Sequence, residues 1–87
     1  MIKLVSVRPL DHPMLELGFS DGSVGIWSAG GLIARGTVLT ERLRDPAYFA
    51  RAFIEGGALG WPNGLELSPH ALHLRLAEGG ALRRAAA

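Results

Sequence analysis

The chain has 87 residues, enough for one hydrophobic core, and its lack of cysteine excludes disulfide bonds, thiolate metal sites and thiol nucleophiles. Nine lysines and arginines against eight aspartates and glutamates give a formal net charge of +1, so no long-range field attracts a polyanion such as nucleic acid. No apolar run is long enough to span a membrane, and charges stand too early for a signal peptide, so we expect a cytoplasmic protein without a membrane partner.

The N-terminal part predicts an antiparallel meander. Val5 and Val7 alternate with polar residues and are followed by a turn-rich stretch at residues 9–13. Two further alternating runs flank Asp21-Gly22, a dipeptide that favours a two-residue type I′ hairpin because both residues tolerate positive φ.

The register of this hairpin follows from the turn. It assigns five large apolar side chains to the core face: Leu15, Leu17, Phe19, Val24 and Ile26. The other face then carries Gly18 opposite Gly25 and Glu16 opposite Trp27. Because tryptophan is enriched at interface hot spots, we expect Trp27, Glu16, Gly18 and Gly25 to form a partner interface. The alternative is that the indole covers Gly18 and Gly25 within the chain.

The middle of the chain predicts an irregular connection and then a short helix. Residues 29–39 lack a clear period, and residues 40–44 allow one helical turn. Asp45 is a good N-cap and Pro46 suits the first helical position, which predicts a helix through Phe53. Residues 58–61 have room for a short strand, and we expect Trp61 to be buried with its indole N–H bonded to a carbonyl.

The C-terminal part begins with the tight turn of residues 62–64 and a second cap signal, Ser68-Pro69. Residues 71–76 fit either a helix or a strand. We expect one domain at residues 1–78 and a frayed tail at residues 79–87, with no internal repeat. The predicted fold class is α+β: a small antiparallel sheet built on the N-terminal hairpin meander, packed against one or two short helices.

No residues predict catalytic, cofactor-binding or metal-binding chemistry. His70 and His73 are three positions apart, but His12 lies in a distant turn and a metal needs three or four converging ligands. The glycine pairs lack the spacing of a phosphate loop, and no nucleophile, base and orienting group can be assembled. We therefore expect no enzyme and no cofactor.

Five segments in order resemble those of a known family: MIKLVSVRPL, FSDGSVG, LRDPAYF, WPNG and LSPHAL. Over about residues 1–74 the chain resembles the bacterial domain of unknown function 2442 family. The resemblance implies a compact α+β fold in which antiparallel strands lead into short helices. It also implies an interaction module in gene pairs of the toxin–antitoxin type, and it supplies no catalytic residues.

Three functions remain open at this point. The leading hypothesis is a protein-binding module, the antitoxin-like member of a two-gene system, whose partner is the product of an adjacent gene or a second copy in a homodimer. The alternative is a small-ligand-binding protein or enzyme with a pocket between the sheet and the Asp45 helix. The third, disfavoured by net charge, is nucleic-acid binding through Arg42, Arg44 and Arg51.

Overall fold

The computed structural model describes residues 1–85 and contains two antiparallel sheets and several short helices. The strands are β1 Leu4–Pro9, β2 Met14–Phe19, β3 Ser23–Ser28, β4 Phe53–Glu55, β5 Ala58–Gly60, β6 Glu66–Leu67 and β7 Arg83–Arg84. The helices are α1 Gly30–Ala34, α2 Val38–Glu41, α3 Pro46–Phe49 and α4 Pro69–Glu78, with a 3-10 turn at Arg42–Arg44.

The larger sheet has the strand order β1-β2-β3-β7, and the smaller sheet has the order β4-β5-β6. All strand pairs are antiparallel. This confirms the α+β class and the N-terminal meander. Within residues 1–85, no helix has the length and apolar character needed to cross a bilayer.

The hairpin between β2 and β3 has a different turn from the predicted one. The N–H of Gly22 donates to the carbonyl of Phe19 at 3.0 Å, and of the two central residues in the predicted turn only Gly22 has a positive φ, at 87°. A type I′ turn needs positive φ at Asp21 as well. The loop is instead a three-residue one, Ser20 to Gly22, and the Asp21 carboxylate accepts the N–H of Ser23 at 3.0 Å within it.

The extra loop residue shifts the register by one position, which reverses the faces of β3. Leu17 lies opposite Gly25 and Leu15 lies opposite Trp27. Trp27 is therefore buried, with 7% of its surface exposed, whereas Ile26 is 50% exposed. The prediction of an outward Trp27 is wrong.

The four residues predicted to form an interface consequently do not share a surface. Gly25 faces the core with Trp27, and a Cβ on Gly25 would lie 3.1 Å from Leu76. Glu16 lies on the opposite face, where Arg8 and Arg83 bond its carboxylate at 3.1 and 3.2 Å. Gly18 lies opposite Val24 and under the hydroxyl of Ser6 in β1.

The predicted Asp45 cap is confirmed, since its carboxylate accepts the N–H of Ala47 at 3.0 Å. The helix ends at Phe49 rather than Phe53, which begins β4. Gly56 and Gly57 both have positive φ, at 59° and 84°, and join β4 to β5 in a two-residue hairpin. The β4–β5 hairpin needs extended backbone at Phe53–Glu55, so α3 cannot continue through Phe53.

The second cap resolves the ambiguity at residues 71–76 in favour of a helix. The Ser68 hydroxyl accepts the N–H of Ala71 at 3.2 Å, and α4 buries Leu72 and Leu76 while Leu74 is exposed. The expected frayed tail is wrong for the described residues, because β7 pairs with Ser23 and Val24 of β3. The folded unit thus extends beyond residue 78, and residues 86 and 87 lie outside the described part.

Trp61 occupies the core as predicted. Its exposed fraction is 1%, and its indole N–H donates to the carbonyl of Phe49 at 3.0 Å. The Tyr48 hydroxyl accepts the N–H of Asn63 at 3.0 Å, which ties α3 to the tight turn after Trp61. The other large buried side chains are Leu4, Leu15, Leu17, Phe19, Trp27, Leu43, Tyr48, Phe49, Leu59, Leu65, Leu72 and Leu76.

Replacing Trp27 with alanine tests the corrected register. Because Trp27 is buried, we expect Trp27→Ala to lower the free energy of unfolding by about 3–5 kcal/mol. The neighbouring variant Ile26→Ala serves as the control and should cost about 1 kcal/mol or less, since Ile26 is half exposed. Chemical denaturation measures both values, and a larger loss for Ile26→Ala than for Trp27→Ala would contradict the register.

Candidate functional site

A groove of about 380 Å³ lies between α1 and α4, next to the end of β3. Its lining residues are Trp27, Ser28, Gly31, Leu32, Arg35, Leu67, Ser68, Ala71, Leu72 and Arg75. Trp27 and Leu72 are buried and form the floor, and Leu32 and Leu67 are half-buried. The remaining lining residues are exposed.

The groove is open because small residues stand where the helices would otherwise fill it. A Cβ on Gly31 of α1 would meet no other atom within 4 Å. Ala71 of α4 contributes only a methyl group to the lining. The space above Trp27 is therefore open because Gly31 and Ala71 have no side chain large enough to fill it.

The lining consists of two sets of residues with the same sequence pattern. Each set is a large apolar residue, a serine, a small residue, a leucine and an arginine. The first set is Trp27, Ser28, Gly31, Leu32 and Arg35, and the second is Leu67, Ser68, Ala71, Leu72 and Arg75. Corresponding members lie 40 positions apart throughout.

This shared spacing is the signal that could have pointed to the site in the sequence, although only the serine, the leucine and the arginine are identical in the two segments. The segments SAGGLIAR and SPHALHLR share a serine followed three, four and seven positions later by a small residue, leucine and arginine. Such spacing is typical of one face of a helix, and in the structure α1 contains only Gly31 and Leu32 of the first set, with Ser28 before it and Arg35 after it. It was hidden because Gly30-Gly31 predicts a break rather than a helix.

The groove is positively charged. Arg35 and Arg75 line it, and no aspartate or glutamate does. Within residues 1–85, neither arginine takes part in an ion pair or a side-chain hydrogen bond. An anion bound in the groove would give these guanidinium groups a partner of opposite charge.

Both serines keep a hydroxyl proton to donate. The Ser28 oxygen accepts the N–H of Gly30 at 3.1 Å, and the Ser68 oxygen accepts the N–H of Ala71 at 3.2 Å. A serine hydroxyl has one donor hydrogen besides its acceptor lone pairs. The two serines therefore add donors to the groove.

The indole N–H of Trp27 is a further unused donor. It makes no hydrogen bond within residues 1–85, in contrast to the indole N–H of Trp61. In the same residues, no fully buried side-chain nitrogen lacks a partner. The Trp27 nitrogen is therefore reachable by solvent, and it lies in a side chain that lines the groove.

The groove does not lie where the sequence predicts a pocket. We expected one between the sheet and the Asp45 helix, but Tyr48 and Phe49 of α3 are buried in the core there. The ring of Phe49 packs against that of Trp61 with a centroid distance of 5.9 Å. The groove forms instead beside α1, a segment for which the sequence predicts an irregular connection.

The three arginines considered for nucleic-acid binding have partners within the chain. The guanidinium groups of Arg42 and Arg51 lie 4.1 and 5.8 Å from the ring centre of Tyr48. Arg44 pairs with Glu41 at 3.6 Å. The Glu41 carboxylate offsets the charge of Arg44, and the Tyr48 ring occupies one side of the other two guanidinium groups, so the three arginines are less available to nucleic-acid phosphates.

A second polar cluster links the β2–β3 loop to α4. His73 Nε2 lies 2.9 Å from the Asp21 carboxylate, and the Ser23 hydroxyl donates to the same carboxylate at 2.6 Å. These hydrogen bonds, first from the Ser23 hydroxyl and backbone and then from His73, hold the pKa of Asp21 well below its usual range. The serine bonds the aspartate rather than the histidine, so the cluster lacks the serine–histidine contact that activates a nucleophile.

The other histidines are separate from this cluster. His70 is exposed near the start of α4, and His12 Nε2 lies 2.7 Å from the carbonyl oxygen of Leu43. Among residues 1–85, no three or more histidine, aspartate or glutamate side chains converge as a metal site would require.

Comparison with known proteins gives one match. The family model described as "Protein of unknown function (DUF2442)" matches residues 4–76. No curated protein matches the chain. No solved structure matches it either.

Acid should weaken the fold through Asp21. Because its pKa is lowered in the folded state, the carboxylate stabilises the protein above the ordinary aspartate pKa, about 3.9, and this contribution is lost as pH falls below that value. We expect Asp21→Asn to lose stability less steeply than the wild type below about pH 4. Asp11→Asn, which removes a carboxylate without a hydrogen bond in residues 1–85, is the control; equal slopes for Asp21→Asn and the wild type would contradict this role.

The empty space at Gly31 predicts a stabilising substitution. Gly31→Ala should raise the free energy of unfolding by about 0.5–1 kcal/mol, because alanine favours the helix and its methyl group meets nothing. Gly36→Ala is the matched control: it also meets nothing within 4 Å, but its φ of 67° should make the substitution cost about 1–2 kcal/mol. A loss of stability in Gly31→Ala, measured by denaturation, would contradict the assignment of α1.

Proposed function

The chain belongs to the DUF2442 family of proteins of unknown function, and from this premise we propose that it is a protein-binding module that receives a segment of its partner in the groove between α1 and α4. The supporting observation is the composition of the groove. It combines an apolar floor with unused hydrogen-bond donors from both sets of lining residues.

The apolar floor supplies affinity and the donors supply specificity. Burial of apolar surface gives about 25 cal/mol per Å². The half-buried Leu32 and Leu67 offer more of this surface to a ligand side chain than Trp27 and Leu72, which are already buried. The two serine donors lie at the end of β3 and at the N-cap of α4, where hydrogen bonds to the backbone hold their oxygens, so they need little reordering when a ligand binds. A preformed groove of this kind favours binding over catalysis.

The exposed rim favours a polypeptide over a small molecule. Most lining residues are exposed, including both serines and both arginines. A small ligand is usually enclosed over most of its surface, whereas a peptide segment leaves the groove at both ends. The size of about 380 Å³ is within the range of small-molecule sites, which keeps a small ligand as the second candidate.

The partner that we propose is the product of an adjacent gene, with this chain as the antitoxin-like member of the pair. The support for this partner is the resemblance to a family whose members occur in gene pairs of the toxin–antitoxin type. The absence of cysteine suits a reducing compartment, so we propose that binding takes place in the cytoplasm.

Filling the groove should abolish peptide binding. We expect Ala71→Trp to place an indole over Trp27 and to lower the capture of peptides from a displayed random library at least about tenfold. Ala77→Trp makes the same change on the same helix outside the groove lining and should bind as the wild type does. Gly31→Leu fills the groove from α1 and should repeat the loss.

Thermal melting of each variant shows that the fold is retained. Peptides that bind the wild type and both filled variants equally would contradict the groove as the binding site. A library that yields no binder at all would contradict the proposal of a peptide-binding module.

A further inference from the structure

We infer that the occupant of the groove is an acidic segment, which places its carboxylates against Arg35 and Arg75 and an apolar side chain over Trp27. This inference rests on the proposed function and adds the chemistry of the ligand. The observation that supports it is which arginines have partners in the described chain and which do not.

The unpaired arginines are concentrated in the groove. Of the nine basic residues, Lys3 is the only lysine, so eight are arginines. Six have partners within residues 1–85: Arg8 and Arg83 bond Glu16, Arg44 pairs with Glu41, Arg42 and Arg51 lie near the Tyr48 ring, and Arg84 donates to the Asp21 carbonyl. The two that remain are Arg35 and Arg75, and both line the groove.

The local charge departs from that of the whole chain. The formal net charge is only +1 over 87 residues, whereas the groove lining carries two arginines and no acid. A guanidinium group presents a planar fork of donors that matches the two oxygens of a carboxylate. Charge complementarity therefore selects an anionic occupant.

The repeated pattern of the lining indicates that two anionic groups are bound. Each set brings one arginine and one serine hydroxyl to the groove. Ser28 ends β3 and Arg35 follows α1, whereas Ser68 caps α4 and Arg75 lies within it. A ligand with two carboxylates could then bind one carboxylate at the arginine and serine of each set. The leucines and Trp27 leave an apolar strip, which suits an apolar residue next to the acidic ones.

The experiment measures which peptides the groove selects. A library of capped random peptides is incubated with the wild-type chain, and the bound fraction is sequenced. We expect enrichment of peptides with two aspartates or glutamates beside a large apolar residue. Arg35→Gln and Arg75→Gln should each weaken binding of a selected peptide about tenfold, and added salt should weaken it further.

Arg51→Gln is the matched control, because it removes the same charge outside the groove and should leave the affinity unchanged. The two amide-for-guanidinium substitutions lie at exposed positions, so the fold should be retained, and a thermal melt checks this. The indole N–H signal of Trp27 in a ¹⁵N–¹H spectrum should shift on binding, while that of Trp61 should not.

The outcomes separate this inference from the proposed function. Bound peptides without acidic enrichment, which Ala71→Trp still excludes, would overturn the acidic occupant and leave the peptide-binding groove in place. Acidic peptides that bind the two arginine variants as tightly as the wild type would overturn the role of Arg35 and Arg75. The absence of any binder that depends on the groove would overturn the proposed function itself.

Discussion

The positive φ of Gly22 is the constraint on which the rest of the structure depends. It closes a three-residue loop between β2 and β3, in which Phe19 accepts the N–H of Gly22 and Asp21 accepts that of Ser23. This loop fixes which residues of β3 lie opposite those of β2, and in a strand a shift of one residue exchanges the two faces. The loop therefore decides which side chains of β3 enter the core.

Two consequences of this register build the groove. Gly25 faces inward, and the absence of a side chain there lets Leu76 of α4 and Leu82 approach the sheet closely. Trp27 also faces inward, at the end of β3, where the chain turns into α1. The groove is thus bounded by α1, which follows the hairpin directly, and by α4, which can lie close to the sheet because Gly25 has no side chain. The same register leaves Glu16 on the outer face, where it pairs with Arg8 and Arg83.

Short-range sequence patterns predicted much of the fold. The predictions failed where one segment was compatible with two structures, as at the Asp21-Gly22 turn and at α1. The caps at Asp45 and Ser68 and the burial of Trp61 each depend on a few neighbouring residues, and the sequence predicted them correctly. Asp-Gly fits more than one turn type, however, and a two-residue and a three-residue loop differ in whether Ile26 or Trp27 is buried. The turn residues alone do not distinguish the two. Helix α1 was missed because glycine is a poor helix former, although its leucine and arginine match the spacing in α4. The groove could not be predicted while the register was wrong, because Trp27 forms its floor.

The register of the β2–β3 hairpin is the most direct test of this account, since both the core and the groove follow from it. Cross-strand nuclear Overhauser contacts between backbone protons report which residues lie opposite one another. The account predicts contacts that pair Leu17 with Gly25 and Leu15 with Trp27. Contacts that pair Gly18 with Gly25 and Glu16 with Trp27 would contradict it.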